Sequence, residues 1–276
     1  MEKIIRDTRS LCTPSKLPAS DYVINPYLGC THRCQYCYAR FMSRFTGHRE
    51  PWGTYWEARR YRSYRLPAKL DGKTILIGSV TDAYQPAETH CRLMPPILDA
   101  LKSCRAHIEI LTKSALVLRD IRLLQAIPDI AVGLSLSNLC QADNKRIEPG
   151  ASSASERLAA LRELHEAGIR TFLFIAPYLP GLTDLNALAQ AASGSADYIC
   201  VENLNLRGAY KRDMLDLMEQ LHPELTDLYR YIFLSPGGEE YWKRTEDELT
   251  RLRERAGVPV ISYLYHDKIK KGGVGV

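Results

Sequence analysis

Gly29-Cys30-Thr31-His32-Arg33-Cys34-Gln35-Tyr36-Cys37 sets three cysteines at C-x3-C-x2-C spacing, directly after an apolar run over 22–28 that reads as a strand. Its place in the chain matters as much as its spacing. Working outward, short apolar runs bounded by turn residues predict further strands over 74–80, 107–112, 131–137, 170–176 and 198–201. Between them, Leu93, Ile97, Leu98 and Leu101 share one face of a helix over 93–104. Leu158, Leu161 and Leu164 mark a second helix, over 155–168, which stops at Gly168 and takes Ser152 or Ser155 as its N-cap. Strands alternating with helices predict an α/β fold: a parallel sheet with right-handed crossovers, open or closed into a barrel. The chain 1–276 reads as one domain, with a core over about 20–205 and a helical extension over about 206–276. That extension carries helices over 213–221 and 239–256 and a last strand over 258–263 that packs against or closes the barrel.

Sheets of this kind bind ligands at the carboxyl ends of their strands. The residues at those ends are polar: Cys30, Ser79 to Asp82, Thr112 to Ser114, Ser135 to Asn138, Pro177 to Gly181, and Glu202-Asn203.

Eight cysteines in 276 residues are too sparse for a secreted disulfide scaffold, and three fall within one eight-residue stretch. No run of about 18 apolar residues and no signal-type leader occurs, so the chain reads as a soluble cytoplasmic protein without membrane contact. In a reducing compartment the triplet suggests metal. Thiolates bind the irons of a cubane cluster, and three of them leave the fourth iron open. An open iron suits a chelating ligand such as the amino and carboxylate groups of S-adenosylmethionine (SAM). The alternative is zinc with His32 as fourth ligand, but His32 lies inside the tight loop and no second cysteine pair follows.

The cysteine motif, Tyr36 before its third cysteine and the order of strands resemble the radical SAM superfamily over roughly 22–202. The resemblance implies a partial (β/α)6 TIM-type barrel in which Cys30, Cys34 and Cys37 ligate a 4Fe-4S cluster. It also implies reductive cleavage of SAM to methionine and a 5'-deoxyadenosyl radical that abstracts hydrogen from a substrate. An external one-electron reductant of flavodoxin or ferredoxin type is then needed.

Within that superfamily, Gly78-Ser79-Val80-Thr81-Asp82-Ala83-Tyr84-Gln85-Pro86, Leu111-Thr112-Lys113-Ser114 and Arg146-Ile147-Glu148-Pro149-Gly150 resemble the spore photoproduct lyase group, as do Glu156-Arg157 and the stretch Leu164 to Ile169. By this resemblance Thr81 and Asp82, with Ser79 beside them, receive the SAM amino group. Lys113 and Ser135, with Asn138, lie near its ribose or carboxylate, Glu148 completes the pocket, and Tyr36 stacks near the adenine or shields the cluster. Each has a plainer reading: Asp82 as a helix cap, Lys113 as a solvated lysine, Glu148 as the partner of Arg146 or Arg157, Tyr36 as core. One departure stands out. That group returns hydrogen through a cysteine just before the aspartate, and 78–82 holds no thiol. Cys140, past the fourth strand, is the candidate donor in its place, while Cys200 falls within a strand and reads as core.

The net charge of +5 is concentrated: residues 38–66 hold seven arginines against Glu50 and Glu57. Arginines interleaved with Trp and Tyr suit phosphates and bases, so an anionic small molecule or nucleic acid is the expected partner, with 59–65 as its contact. Phe41 and Phe45 are expected to face the core. The rival functions are lesion repair of the photoproduct lyase type and a zinc-stabilised nucleic-acid-binding module.

Overall fold

The computed structural model describes residues 4–67, 69–206 and 208–264. Its strands are β1 (Ile4–Thr8), β2 (Thr13–Pro14), β3 (Tyr22–Ile24), β4 (Tyr27–Leu28), β5 (Glu57–Tyr61), β6 (Thr74–Ile77), β7 (His107–Thr112), β8 (Ile130–Ser135), β9 (Arg170–Tyr178), β10 (Tyr198–Asn203) and β11 (Val260–Ser262). Eight of them form one sheet in the order β11-β10-β9-β8-β7-β6-β3-β2, parallel throughout except for the β2–β3 pair. From β6 onward each crossover adds its strand on the same side of the last, the winding of a barrel wall. Among the described residues β11 pairs with β10 alone, so the sheet stays open.

The outer face of this sheet carries Ile75, Ile77, Ile108, Ile110, Val132, Leu134, Leu173, Ile175, Ile199 and Val201, buried with Leu98, Leu101, Leu161, Leu164 and Leu188 of the crossover helices. The opposite, inner face buries Ala131, Phe172, Tyr198 and Cys200 among Leu111, Phe174, Ile261 and Tyr263. Those neighbours come from the sheet or the residue just past β11, so the sheet curls around its own side chains. A Cβ on Gly133 would lie 2.2 Å from the Phe172 ring, which fills that gap and stacks on Tyr198 at 4.8 Å.

Three elements differ from the sequence reading. The strand expected over 22–28 is two strands in two sheets. Pro26 has no N–H to give a ladder, and the chain turns there, β3 pairing with β6 and β4 with β5. A small second sheet of order β1-β5-β4 was not anticipated, and its middle strand includes residues 59–61 of the expected contact stretch 59–65. The helix Ala154–Glu166 is capped by Ser153, not by Ser152 or Ser155: Ser153 Oγ accepts from Glu156 N–H at 3.2 Å, and the Glu156 carboxylate accepts from Ser153 N–H at 2.7 Å. Ser152 Oγ instead accepts from Ala115 N–H, joining this loop to the chain after β7.

Beyond β10, helices Ala209–Leu221, Thr226–Leu234 and Gly238–Arg253 lead into β11, as the helical extension predicts.

Candidate active site

The cysteine loop leaves β4 through Gly29, whose φ of +83° and whose approach to Tyr55 leave no room for a side chain: a Cβ would stand 2.6 Å from the Tyr55 carbonyl oxygen. The loop is then pinned on both sides. Toward the end of β6, Thr81 Oγ1 and Gln85 Nε2 donate to the Gly29 carbonyl at 2.7 and 3.2 Å, and the Gln85 side-chain oxygen accepts from Thr31 N–H at 2.9 Å. Toward the chain after helix Gln141–Ile147, Gln35 N–H donates to the Ile147 carbonyl and Gly150 N–H to the His32 carbonyl, each at 2.9 Å. Gly150 allows this contact, since a Cβ there would lie 2.3 Å from the Thr31 oxygen.

His32 is buried, its Nδ1 3.3 Å from Asp82 Oδ2. Asp82 also accepts from Thr112 Oγ1 at 2.7 Å, Lys113 N–H at 2.7 Å and Tyr84 N–H at 2.8 Å. Burial pushes this carboxyl up, but His32, Thr112 and the Lys113 N–H outweigh burial and hold it down at about 2. Asp82 is therefore a knot joining the loops after β6 and β7 to the cysteine loop.

Burial pushes the Cys30 thiol up to about 12 and raises those of Cys34 and Cys37 as well. Cys34 feels Cys30, Cys37, Glu148 and Lys113 as charged neighbours, so the three sulfurs share one environment. A cubane takes each thiolate on a different corner iron, and it suits an all-thiol set, with His32 engaged by Asp82 at 3.3 Å.

Beside the loop lies a buried charged network. Tyr36 Oη donates to Glu148 Oε1, and Arg157 Nη1 donates to Glu148 Oε2 and to the Ser135 carbonyl, both at 2.7 Å. Lys113 Nζ donates to Ser135 Oγ at 2.5 Å and to the Ala176 carbonyl at 3.3 Å, and stands 3.7 Å from Glu148 Oε1 and 5.8 Å from the Tyr36 ring centre. Burial opposes ionisation of Glu148, but Arg157 and Lys113 prevail and hold its carboxyl below the usual glutamate range. The carboxyl ends of β7, β8 and β9 thus meet the cysteine loop here. Arg157 Nε and Nη2 are buried without partners.

Of the residues singled out from sequence, Tyr36, Lys113, Ser135 and Glu148 come together in this network. Thr81 and Asp82 stand next to it as loop ties. Ser79 is tied to Asn25, whose Nδ2 donates to Ser79 Oγ at 3.0 Å. Asn138 shapes a local turn, accepting from Cys140 N–H at 2.8 Å and donating to Asp143 at 2.9 Å. Cys140 is exposed at the start of helix Gln141–Ile147. Arg157 and Gln85 carry more of the site than the sequence reading gave them. The signal for Arg157 was a charge at position 157 on the same helical stripe as Leu161 and Leu164.

The aromatic segment departs from expectation. Tyr38–Phe45 is a 3-10 helix, whose three-residue turn sets Tyr38 over Phe41, their rings stacked at 6.4 Å. Phe41 and Phe45, expected in the core, are 39% and 67% exposed. In 59–65, Arg60 and Arg62 are drawn to Asp7, at 2.7 and 3.6 Å.

Among known proteins, the radical SAM superfamily model matches residues 24–189. An uncharacterized protein of Methanocaldococcus jannaschii is 36% identical over 211 residues, 76% of this chain and 80% of that one. An uncharacterized protein of Mycobacterium tuberculosis is 31% identical over 230 residues, 77% of this chain and 67% of that one. Spore photoproduct lyase complexed with dinucleoside spore photoproduct shares the fold at a TM-score of 0.65 and 18% identity, over 93% of this chain and 80% of that one. A mutant of that lyase with bound AdoMet and the same dinucleoside superposes at 0.64, with the same identity and coverage. The family model covers 166 of the 276 residues (24 through 189), from the end of β3 past the buried network, and the chain belongs to the radical SAM superfamily.

Proposed function

We propose that Cys30, Cys34 and Cys37 hold a 4Fe-4S cluster with one iron open to SAM, and that the chain abstracts hydrogen from an anionic substrate over the carboxyl edge of the large sheet. One observation carries the reading: three mutually neighbouring thiols in a pinned loop, with Lys113 and Glu148 acting on Cys34. When bound, the cluster supplies the electron that splits the SAM sulfonium. The chain's own residues do the rest. Lys113 offers its ammonium to the SAM carboxylate or ribose. Glu148, kept ionised by Arg157, offers acceptor oxygens to the amino group or a hydroxyl. Asp82 and Gln85 keep the loops that carry these groups in register, and burial of the network strengthens its charged contacts to a bound ligand.

Anaerobic reconstitution tests the reading. About four irons per chain with matching sulfide, a broad visible absorbance, and 5'-deoxyadenosine formed from SAM and dithionite support it. Stoichiometric zinc without sulfide, or no SAM cleavage by iron-loaded protein, ends it.

A second reading, repair of a dinucleotide lesion, is supported by the fold shared with the lyase that holds a dinucleoside. It lacks a thiol in 78–82, and Cys140 is the substitute donor, exposed on the same side of the sheet. Thymine regenerated from dinucleoside photoproduct would establish it; SAM cleavage without that product would remove it.

A further inference from the structure

Glu202 ends a row of side chains on the inner face of the large sheet. Tyr198 and Cys200 of β10 are buried on that face. The alternation of a strand brings Glu202, two residues on, to the same face at the carboxyl edge, where it is half-buried. The β9–β10 pairing slips beside it: Val201 faces Ile175 but Asn203 faces Tyr178, so Glu202 stands against Ala176 and Pro177 together. The Ala176 carbonyl is the one that accepts from Lys113 Nζ at 3.3 Å and Ser135 Oγ at 3.0 Å. Glu202 therefore lies one strand beyond the groups offered to SAM, on the side away from β7 and β8.

Aromatic rings gather around this carboxylate. Tyr263 N–H donates to the Val201 carbonyl at 2.7 Å, which sets Tyr263 beside Glu202 across the β10–β11 pair, and its ring meets that of Phe174 edge-on at 6.5 Å. Tyr38, the residue after Cys37, donates its hydroxyl to the Ser79 carbonyl and leaves 48% of its surface exposed. Burial, and then the charge of Glu202, push that enclosed hydroxyl up, and Glu202 acts on Cys200 and Tyr263 as well. Leu111, Phe174, Ile261 and Tyr263 are only partly buried, so the inner face is open toward this edge. Glu109, a second carboxylate on the same face, lies toward the amino ends and is engaged by His107 and by the Tyr198 hydroxyl, each at 3.4 Å.

Resting on the radical SAM reading above, we infer that Glu202 receives a protonated amine: the part of the substrate that enters the sheet's hollow is an ammonium on an apolar or aromatic skeleton, and its anionic part stays outside the carboxyl edge. Glu202 is then a specificity-determining residue. A partly desolvated carboxylate repels a second anion, which keeps the substrate's acidic end out. The faces of Tyr and Phe rings carry negative potential and attract a cation. An alcohol would occupy the carboxylate's lone pairs without using the rings; an ammonium uses both.

The test uses anaerobically reconstituted holoprotein with SAM and three probes of one skeleton, 2-phenylethylamine, 2-phenylethanol and 3-phenylpropionate, followed by ligand-observed NMR at neutral pH. The amine should bind at least tenfold more tightly than either counterpart, and this preference of the wild type stands as a test even where a variant fails to fold. Glu202→Gln, which keeps the shape and removes the charge, should raise the amine's Kd tenfold or more, and Tyr263→Leu severalfold. Glu202→Asp, which keeps the charge, should retain the preference for the cation. Equal binding of the three probes, tighter binding of the alcohol or the carboxylate, binding of none, or an unchanged Kd in folded Glu202→Gln would overturn the inference. A matching loss of SAM affinity in that variant, by equilibrium dialysis, would give the carboxylate to the amino group of SAM and overturn it too. A wild type that holds no iron, or that does not cleave SAM with dithionite, would instead strike the cluster reading, and the amine preference would still be read beside it because the ammonium contact uses no cluster atom.

Discussion

Arg157 Nη1 meets Glu148 Oε2 at 2.7 Å with each side chain only 1% exposed, so neither charge has water to fall back on. Breaking such a pair from one side leaves a buried charge uncompensated, at a typical cost of about 3–5 kcal/mol. Arg157→Met should show a loss of that order in urea unfolding, and adding Glu148→Gln to it should recover part. Additive losses in the double-mutant cycle would mean the two side chains do not act as a pair.

Cys30→Ala, Cys34→Ala and Cys37→Ala should each strip the visible absorbance and most of the iron from reconstituted protein, while Cys140→Ser should leave both unchanged. Gly150→Ala belongs with the first group in direction. Its new Cβ would stand 2.3 Å from the Thr31 carbonyl oxygen, a backbone atom that cannot swing aside, so iron uptake should fall although no ligand is touched. Full iron content in Gly150→Ala would show the loop position to be unimportant.

Lys113→Met keeps most of the side-chain length and removes the ammonium that stands 3.7 Å from Glu148 and bonds Ser135 at 2.5 Å. Loss of a charge-assisted hydrogen bond, about 1.5–3 kcal/mol, should weaken SAM binding roughly 10- to 150-fold by equilibrium dialysis. Iron content should not change. Unaltered SAM affinity would take Lys113 out of the pocket.

His107 opens β7 at the end of the sheet remote from the site, between Glu109 at 3.4 Å and Asp129 at 2.8 Å. Glu109, with Asp129, raises it from 6.5 to about 9 despite partial burial. A raised histidine stabilises the fold fully below its unfolded value and loses that contribution as pH climbs through about 9. With a quarter of the side chain exposed and solvent screening allowed for, His107→Gln should cost about 1 kcal/mol at pH 6 and close to nothing at pH 10. A cost that does not change over this range would contradict the assignment.

The sheet and the cysteine loop were open to reading because each rests on local pattern: apolar runs, turn residues and a fixed thiol spacing. Lys113, Ser135 and Glu148 followed from the rule that strand ends carry function together with the family resemblance. What stayed hidden depends on distance in space. Nothing local in Glu57–Tyr61 announces a strand, because its partner Ile4–Thr8 is about fifty residues away and pairs in parallel. Phe41 and Phe45 were expected to face the core, and in the 3-10 helix Tyr38–Phe45 both are exposed. The pairing of Glu148 with Arg157 was among the readings open in sequence, but the near-complete burial of both side chains was not.

Phe172, lying in the gap at Gly133 and stacked on Tyr198, stoppers the amino-terminal half of the sheet's inner face. That end of the inner face is closed by side chains, which leaves the carboxyl edge beside the cysteine loop as the side where the proposed chemistry would take place.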